Sequence, residues 1–137
     1  MTNKTVRTIM QSTHMCLSPK MNLVLVSAHL SKHNLPGAPV IDENHNPIGY
    51  VSEYDCLEQL LQSTYYCDNT ALAEDVMTKK LITTRPDLTL IDVASQMNEN
   101  KVNAAPVIEN GKVIGVISRG DIMRELVKEL EECKVPV

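Results

Sequence analysis

The chain has 137 residues, a formal net charge of -4, four Cys, four Tyr and neither Phe nor Trp. Scattered basic residues and so few rings exclude the basic patch and the stacking platform of a nucleic-acid binder, and no apolar run approaches the length of a membrane span. A chain of this size buries roughly two-thirds of its unfolded surface, enough for two small halves around an aliphatic core.

In chain order, the polar start Met1-Thr2-Asn3-Lys4-Thr5 lacks the apolar stretch of a secretion signal. Met15 to Leu17 reads as a short strand ahead of Pro19. Leu23, Val26, Ser27 and Leu30 recur at helical spacing. Strands follow near Ala38 to Asp42 and Ile48 to Ser52, then a helix with Cys56, Leu57, Leu60 and Leu61 turned inward. Ser63 to Leu72, with its turn-forming Asp68-Asn69-Thr70, reads as a connector. Leu81 to Thr84 is a β-type run stopped by Pro86, and Thr89 caps a helix carrying Leu90, Val93, Ala94 and Met97. Ala105 to Glu109 and Lys112 to Ser118 are joined by Asn110-Gly111, a pair that takes positive φ readily and signals a hairpin. Ile122, Met123, Leu126, Val127 and Leu130 line one face of a closing helix that opens at Ser118-x-x-Asp121 and ends near Pro136.

These elements are one pattern written twice. Met10, Pro19, Leu23 and Pro39 return 67 positions on as Met77, Pro86, Leu90 and Pro106, whereas Gly49, Ser52 and Asp55 return 66 positions on as Gly115, Ser118 and Asp121. The lost residue falls where Glu43-Asn44-His45-Asn46 is matched by Asn110-Gly111, so the deletion sits in a turn and spares its flanks. The expected fold is α+β, two β-α-β-β-α repeats packed with pseudo-twofold symmetry. The first repeat spans residues 1–62, the connector 63–72 and the second repeat 73–137.

Cys16, Cys56, Cys67 and Cys133 form no C-x-x-C pair and read as unpaired thiols of a reducing, cytoplasmic compartment. His29 and His33 share one side of a helix, but two ligands are too few for a metal, and His14 and His45 lie in other segments. No nucleophile with a neighbouring base is apparent, so the chain is read as not an enzyme. Ser52-x-x-Asp55 and Ser118-x-x-Asp121 fit helix N-caps, with an acid at the positive end of the helix dipole. The same groups suit a nucleotide, since a carboxylate accepts from both ribose hydroxyls and a helix start favours phosphate.

The doubled pattern resembles the tandem cystathionine-beta-synthase (CBS) domain pair, or Bateman module, of a standalone bacterial type. The resemblance rests on Thr83 three residues before Pro86, on Asn103-Ala104-Ala105-Pro106-Val107-Ile108, and on the Gly-h-h-Ser-x-x-Asp stretches at Gly49 to Asp55 and Gly115 to Asp121. It implies a regulatory module that senses energy state or a metabolite through an adenosine-containing ligand such as AMP, ADP, ATP or S-adenosylmethionine, with no cofactor required. By that analogy Ser52 and Asp55 face Ile82, Thr83, Asn103, Ala104 and Ala105, and Ser118, Arg119 and Asp121 face Met15, Cys16, Gly37 and Ala38. Cys16 replaces the Thr that the family commonly uses there, and Arg119 can reach a phosphate. The resemblance also implies a homodimer and an effector protein as partner. The alternative function is a ligand-free interaction module docking on another enzyme or transporter.

Overall fold

The computed structural model describes residues 4–12 and 16–133. Met15, expected to begin a strand and to face the ligand, His14, and Pro136, expected near the last helix end, lie outside the described residues.

The elements run α1 (Val6–Ile9), β1 (Gln11–Ser12), α2 (Leu23–Lys32), β2 (Gly37–Ile41), β3 (Pro47–Ser52), α3 (Glu53–Tyr66), α4 (Ala73–Val76), α5 (Leu90–Asn100), β4 (Ala104–Glu109), β5 (Lys112–Ser118) and α6 (Arg119–Glu132). They fall into two compact units. One holds residues 16–81 and 110–113, the other residues 4–12, 82–109 and 114–133. The units therefore differ from the repeats of the sequence. The leading segment of each repeat leaves its own repeat and packs with the other.

That exchange is reciprocal to the residue. In one unit the Val6 N–H donates to the Leu88 carbonyl at 2.9 Å and the Leu90 N–H to the Lys4 carbonyl at 3.0 Å; in the other the Ala73 N–H donates to the Met21 carbonyl at 2.8 Å and the Leu23 N–H to the Ala71 carbonyl at 2.9 Å. Every one of these positions maps onto its counterpart by the same 67-residue step. Backbone groups at the starts of α2 and α5 would otherwise lack partners, and the visiting segment supplies them. The short helices were not foreseen, because four residues are too few for a periodic pattern.

In one unit β2 pairs antiparallel with β3, Ala38 opposite Val51 and Pro39 opposite Tyr50. In the other β5 lies between β1 and β4, and β1 sets Gln11 opposite Val116. The β-runs expected at residues 15–17 and 81–84 shrink to single parallel bridges, Leu17 to Val40 and Thr84 to Val107. Pro19 and Pro86 two residues later remove the donors a longer ladder would need. Asn110 and Gly111 take φ values of 54° and 78°, the turn the sequence expects. In the longer first hairpin, Asp42 Oδ1 accepts from the Asn44 and Asn46 N–H groups at 2.8 and 2.9 Å.

Each unit has its own core, and the two match position by position. Leu23, Val26, Leu30, Ala38, Val40, Val51, Cys56 and Ala73 fill one. Leu90, Val93, Met97, Ala105, Val107, Ile117, Ile122 and Val6 fill the other. Two expectations are corrected here. Leu57 and Leu61 are exposed instead of inward, as are Met123, Val127 and Leu130 on α6. A single helix spacing fits two adjacent stripes, and Cys56 and Ile122 are the apolar residues of these helices that are buried. Residues 63–72 begin in helix, since α3 continues to Tyr66 and stops where Cys67 turns left-handed at φ 52°.

Candidate ligand site

Strand β3 delivers Ser52, and β5 delivers Ser118, to the N-cap of the helix that follows. Ser52 Oγ accepts from the Asp55 N–H at 3.1 Å while the Ser52 N–H donates to Asp55 Oδ2 at 3.1 Å. Ser118 and Asp121 repeat this at 3.2 and 3.1 Å. Both are full capping boxes, so each Asp serves the fold with one oxygen.

The other oxygen distinguishes them. Asp121 Oδ1 accepts from Arg124 Nη2 at 2.5 Å and from Gln11 Nε2 at 3.3 Å, whereas Asp55 Oδ1 has no partner among the described residues. A carboxylate offers roughly four lone-pair sites. Asp121 therefore keeps little capacity for a ligand, and Asp55 keeps most of its own. The Asp121 side chain is only 7% exposed, while Arg124 above it is 72% exposed. Asp55 lies at the edge of a shallow depression with Glu58, Gln59, Gln62 and Val76.

Each Ser-x-x-Asp turn sits against the strand start of its own repeat. Gly37 pairs with Ser52, and the Glu53 N–H donates to the Pro36 carbonyl at 2.9 Å. The Arg119 N–H donates to the Asn103 carbonyl at 2.8 Å. One unit thus gathers Ser52, Asp55, Cys16, Gly37 and Ala38, and the other gathers Ser118, Arg119, Asp121, Ile82, Thr83, Asn103, Ala104 and Ala105. Gly37 is required at close quarters: a Cβ there would lie 2.6 Å from the Tyr50 ring and hydroxyl. Burial first, then the charges of Asp55 and Glu53, hold the Tyr50 phenol well above its ordinary pKa. Its hydroxyl stays protonated beside those carboxylates.

Thr83 is exposed, and its carbonyl accepts from Gln96 Nε2 at 3.2 Å. Cys16 is half-buried and lines a groove of about 730 Å³ with Ser18, Lys20, Asp42 and His45; burial pushes its thiol pKa up, which keeps it a neutral, weak donor. Arg119 is exposed. Sequence reading missed Arg124 and Gln11. Arg124 was within reach, since residues three apart on a helix are neighbours, but Gln11 is 110 positions from Asp121.

The profile of the CBS domain matches residues 6–62 and again residues 73–128. The chain belongs to the CBS-domain family. Among curated relatives, the protein MJ1426 of Methanocaldococcus jannaschii is 26% identical, the match covering 77% of this chain and 82% of that protein. The mitochondrial CBSX3 of Arabidopsis thaliana is 29% identical over 75% of this chain and 52% of its own. This chain spans less of other relatives: 43% of MJ1225, and 22% of an L-aspartate semialdehyde sulfurtransferase. Among solved structures, CBSX2 in complex with AMP is 28% identical with a TM-score of 0.76, covering 93% of this chain and 99% of that one. The CBS domain pair of MJ0100, in complex with 5'-methylthioadenosine and S-adenosyl-L-methionine, shares the fold at a TM-score of 0.80 and 24% identity, over 92% and 98% of the two chains. Among the described residues, no helix is long and apolar enough to cross a membrane.

Proposed function

We propose that this CBS pair is a non-catalytic regulatory module that binds an adenosine compound by its ribose diol, with Asp55 as the principal acceptor and Ser52, Gly37 and Ala38 among the groups around the ligand. The observation that carries this is the unengaged Oδ1 of Asp55, held rigid by a capping box whose other half is already satisfied. Two hydroxyl donors on adjacent carbons match a carboxylate with open lone pairs. Asp121, Ser118 and Arg119, with Ile82, Thr83, Asn103, Ala104 and Ala105, form the second candidate set. The AMP complex of CBSX2 supports the ligand class. Occupancy acts by favouring whichever arrangement of the protein binds the ligand better.

The exposed stripe on α3 and α6 supports self-association. Leu57 and Met123 are 59% and 63% exposed at equivalent positions, and Leu61 and Val127 repeat them one turn on. A second copy of the chain is the proposed cover, an arrangement that buries the same apolar stripe on both partners. An effector protein in the cytoplasm would receive the signal.

A thermal-shift panel of AMP, ADP, ATP, adenosine and S-adenosylmethionine tests the function. A ligand at a hundred times its Kd adds about 2.7 kcal/mol, on the order of 10 °C for a domain of this size. At least one adenosine compound should give such a shift, and Asp55→Asn should reduce it. No shift from any of them would refute the reading.

A further inference from the structure

The first two turns of α3 and α6 are equivalent in position and opposite in charge. Glu53 stands where the second helix has Arg119, and Glu58 where it has Arg124, on either side of Asp55 and Asp121. Residues 52–58 thus carry three acids and no base, while residues 118–124 carry two arginines and one acid. The reversals are confined to positions flanking the functional pair, since Ser and Asp themselves are kept in both copies. Burial foremost, then the charges of Asp55 and Glu53, disfavours ionisation of the Tyr50 hydroxyl.

We propose that the two Asp positions sort adenosine compounds by charge: Asp121, with Arg119 and Arg124, takes a phosphate-bearing nucleotide, and Asp55, with Glu53 and Glu58, takes an adenosine compound without net negative charge. This rests on the adenosine reading above and specifies its ligands. At Asp121 the diol acceptor is closed by the Arg124 guanidinium at 2.5 Å. That guanidinium is solvent-exposed. A phosphate at the start of α6 offers it a second, bidentate anion and releases Oδ1 for the ribose. A neutral nucleoside brings nothing to exchange for that ion pair. At Asp55 there is no cation to displace, and a phosphate would meet two further carboxylates of its own sign.

The test is calorimetric titration of the full chain with AMP and, separately, with 5'-methylthioadenosine. AMP affinity should fall about tenfold or more in Asp121→Asn and Arg124→Glu and stay within about twofold in Asp55→Asn, the loss expected for one charge-assisted contact. 5'-Methylthioadenosine should show the converse. Glu58→Arg, a change on an exposed helix position, should add AMP binding at the first helix. AMP binding that is lost in Asp55→Asn and kept in Arg124→Glu would overturn the proposal, as would equal losses for both compounds. Amide NMR shifts on adding inorganic phosphate give an independent reading: residues 118–124 should move and residues 52–58 should not. Equal movement, or none, in both stretches also overturns it. If phosphate selects 118–124 and no nucleoside binds at all, charge sorting stands and the adenosine reading falls.

Discussion

Thr84 stands where the first repeat has Leu17 and is as deeply buried, yet among the described residues its hydroxyl oxygen finds no hydrogen-bond partner. An unsatisfied buried hydroxyl costs on the order of 1 kcal/mol or more, and an isosteric methyl removes that cost. Thr84→Val should therefore raise the Tm by about 4 °C, read by calorimetry. Ser118→Ala removes a cap and should cost about 1 kcal/mol of stability in urea titration. Asp42 illustrates a pH effect of known sign. The Asn46 N–H foremost, with the Asn44 N–H and the Asn46 side chain, holds its carboxyl below the ordinary value of 3.8. A depressed carboxyl contributes above its unfolded pKa and loses that contribution as pH falls through the folded one. The Asn44 and Asn46 amide signals should accordingly move together in an NMR titration below pH 3.8 and stay constant above it. The capping boxes at Ser52 and Ser118 were legible in the residues themselves, because a cap needs only positions i and i+3. The engagement of Asp121 by Gln11 was not, since no local rule links residues so far apart in sequence.

At the scale of elements, the duplicated glycines of β3 and β5 meet different neighbours. A Cβ at Gly115 would lie 2.6 Å from the Gln11 carbonyl oxygen, a backbone atom, as well as 2.8 Å from Met10 Sδ. At Gly49 the obstacle is the Met77 side chain, with Sδ at 2.4 Å. A flexible thioether can move aside, and a backbone paired in a sheet cannot do so cheaply. Gly115→Ala should thus destabilise more than Gly49→Ala, and equal urea midpoints for the two variants would contradict this packing. Helix α1 contributes Val6 to a core it reaches only through the exchange. Val6→Ala should cost about 2 kcal/mol, a cavity penalty out of proportion for a four-residue helix near the start of a chain. The two hairpins and the four long helices followed from hydrophobic period and turn residues. The outward stripe on α3 and α6 did not, because apolar residues at i, i+3 and i+4 do not say which side the core lies on.

For the whole molecule, the exchange separates what is repeated from what folds. Residues 1–62 carry one complete copy of the pattern but lack Ala73, which lies in the core with Leu23 and Val26. A fragment of residues 1–62 should consequently remain largely unfolded by circular dichroism, whereas residues 13–81, which include α4, should recover helical signal. The reverse result would show the sequence repeat to be the folding unit. By itself the amino-acid order determined the duplication, the two hairpins, the capped helices and the family, since each is written in spacings of a few residues or in a fixed step along the chain. Tertiary structure decided which repeat each leading segment joins, that the Thr84 hydroxyl has no partner among the described residues, and that Arg124 and Gln11 close one aspartate while the other stays open. The exchange and the Gln11 contact depend on partners 48 to 110 positions apart, where the choice of partner is set by burial and unmet hydrogen bonds instead of by any local pattern.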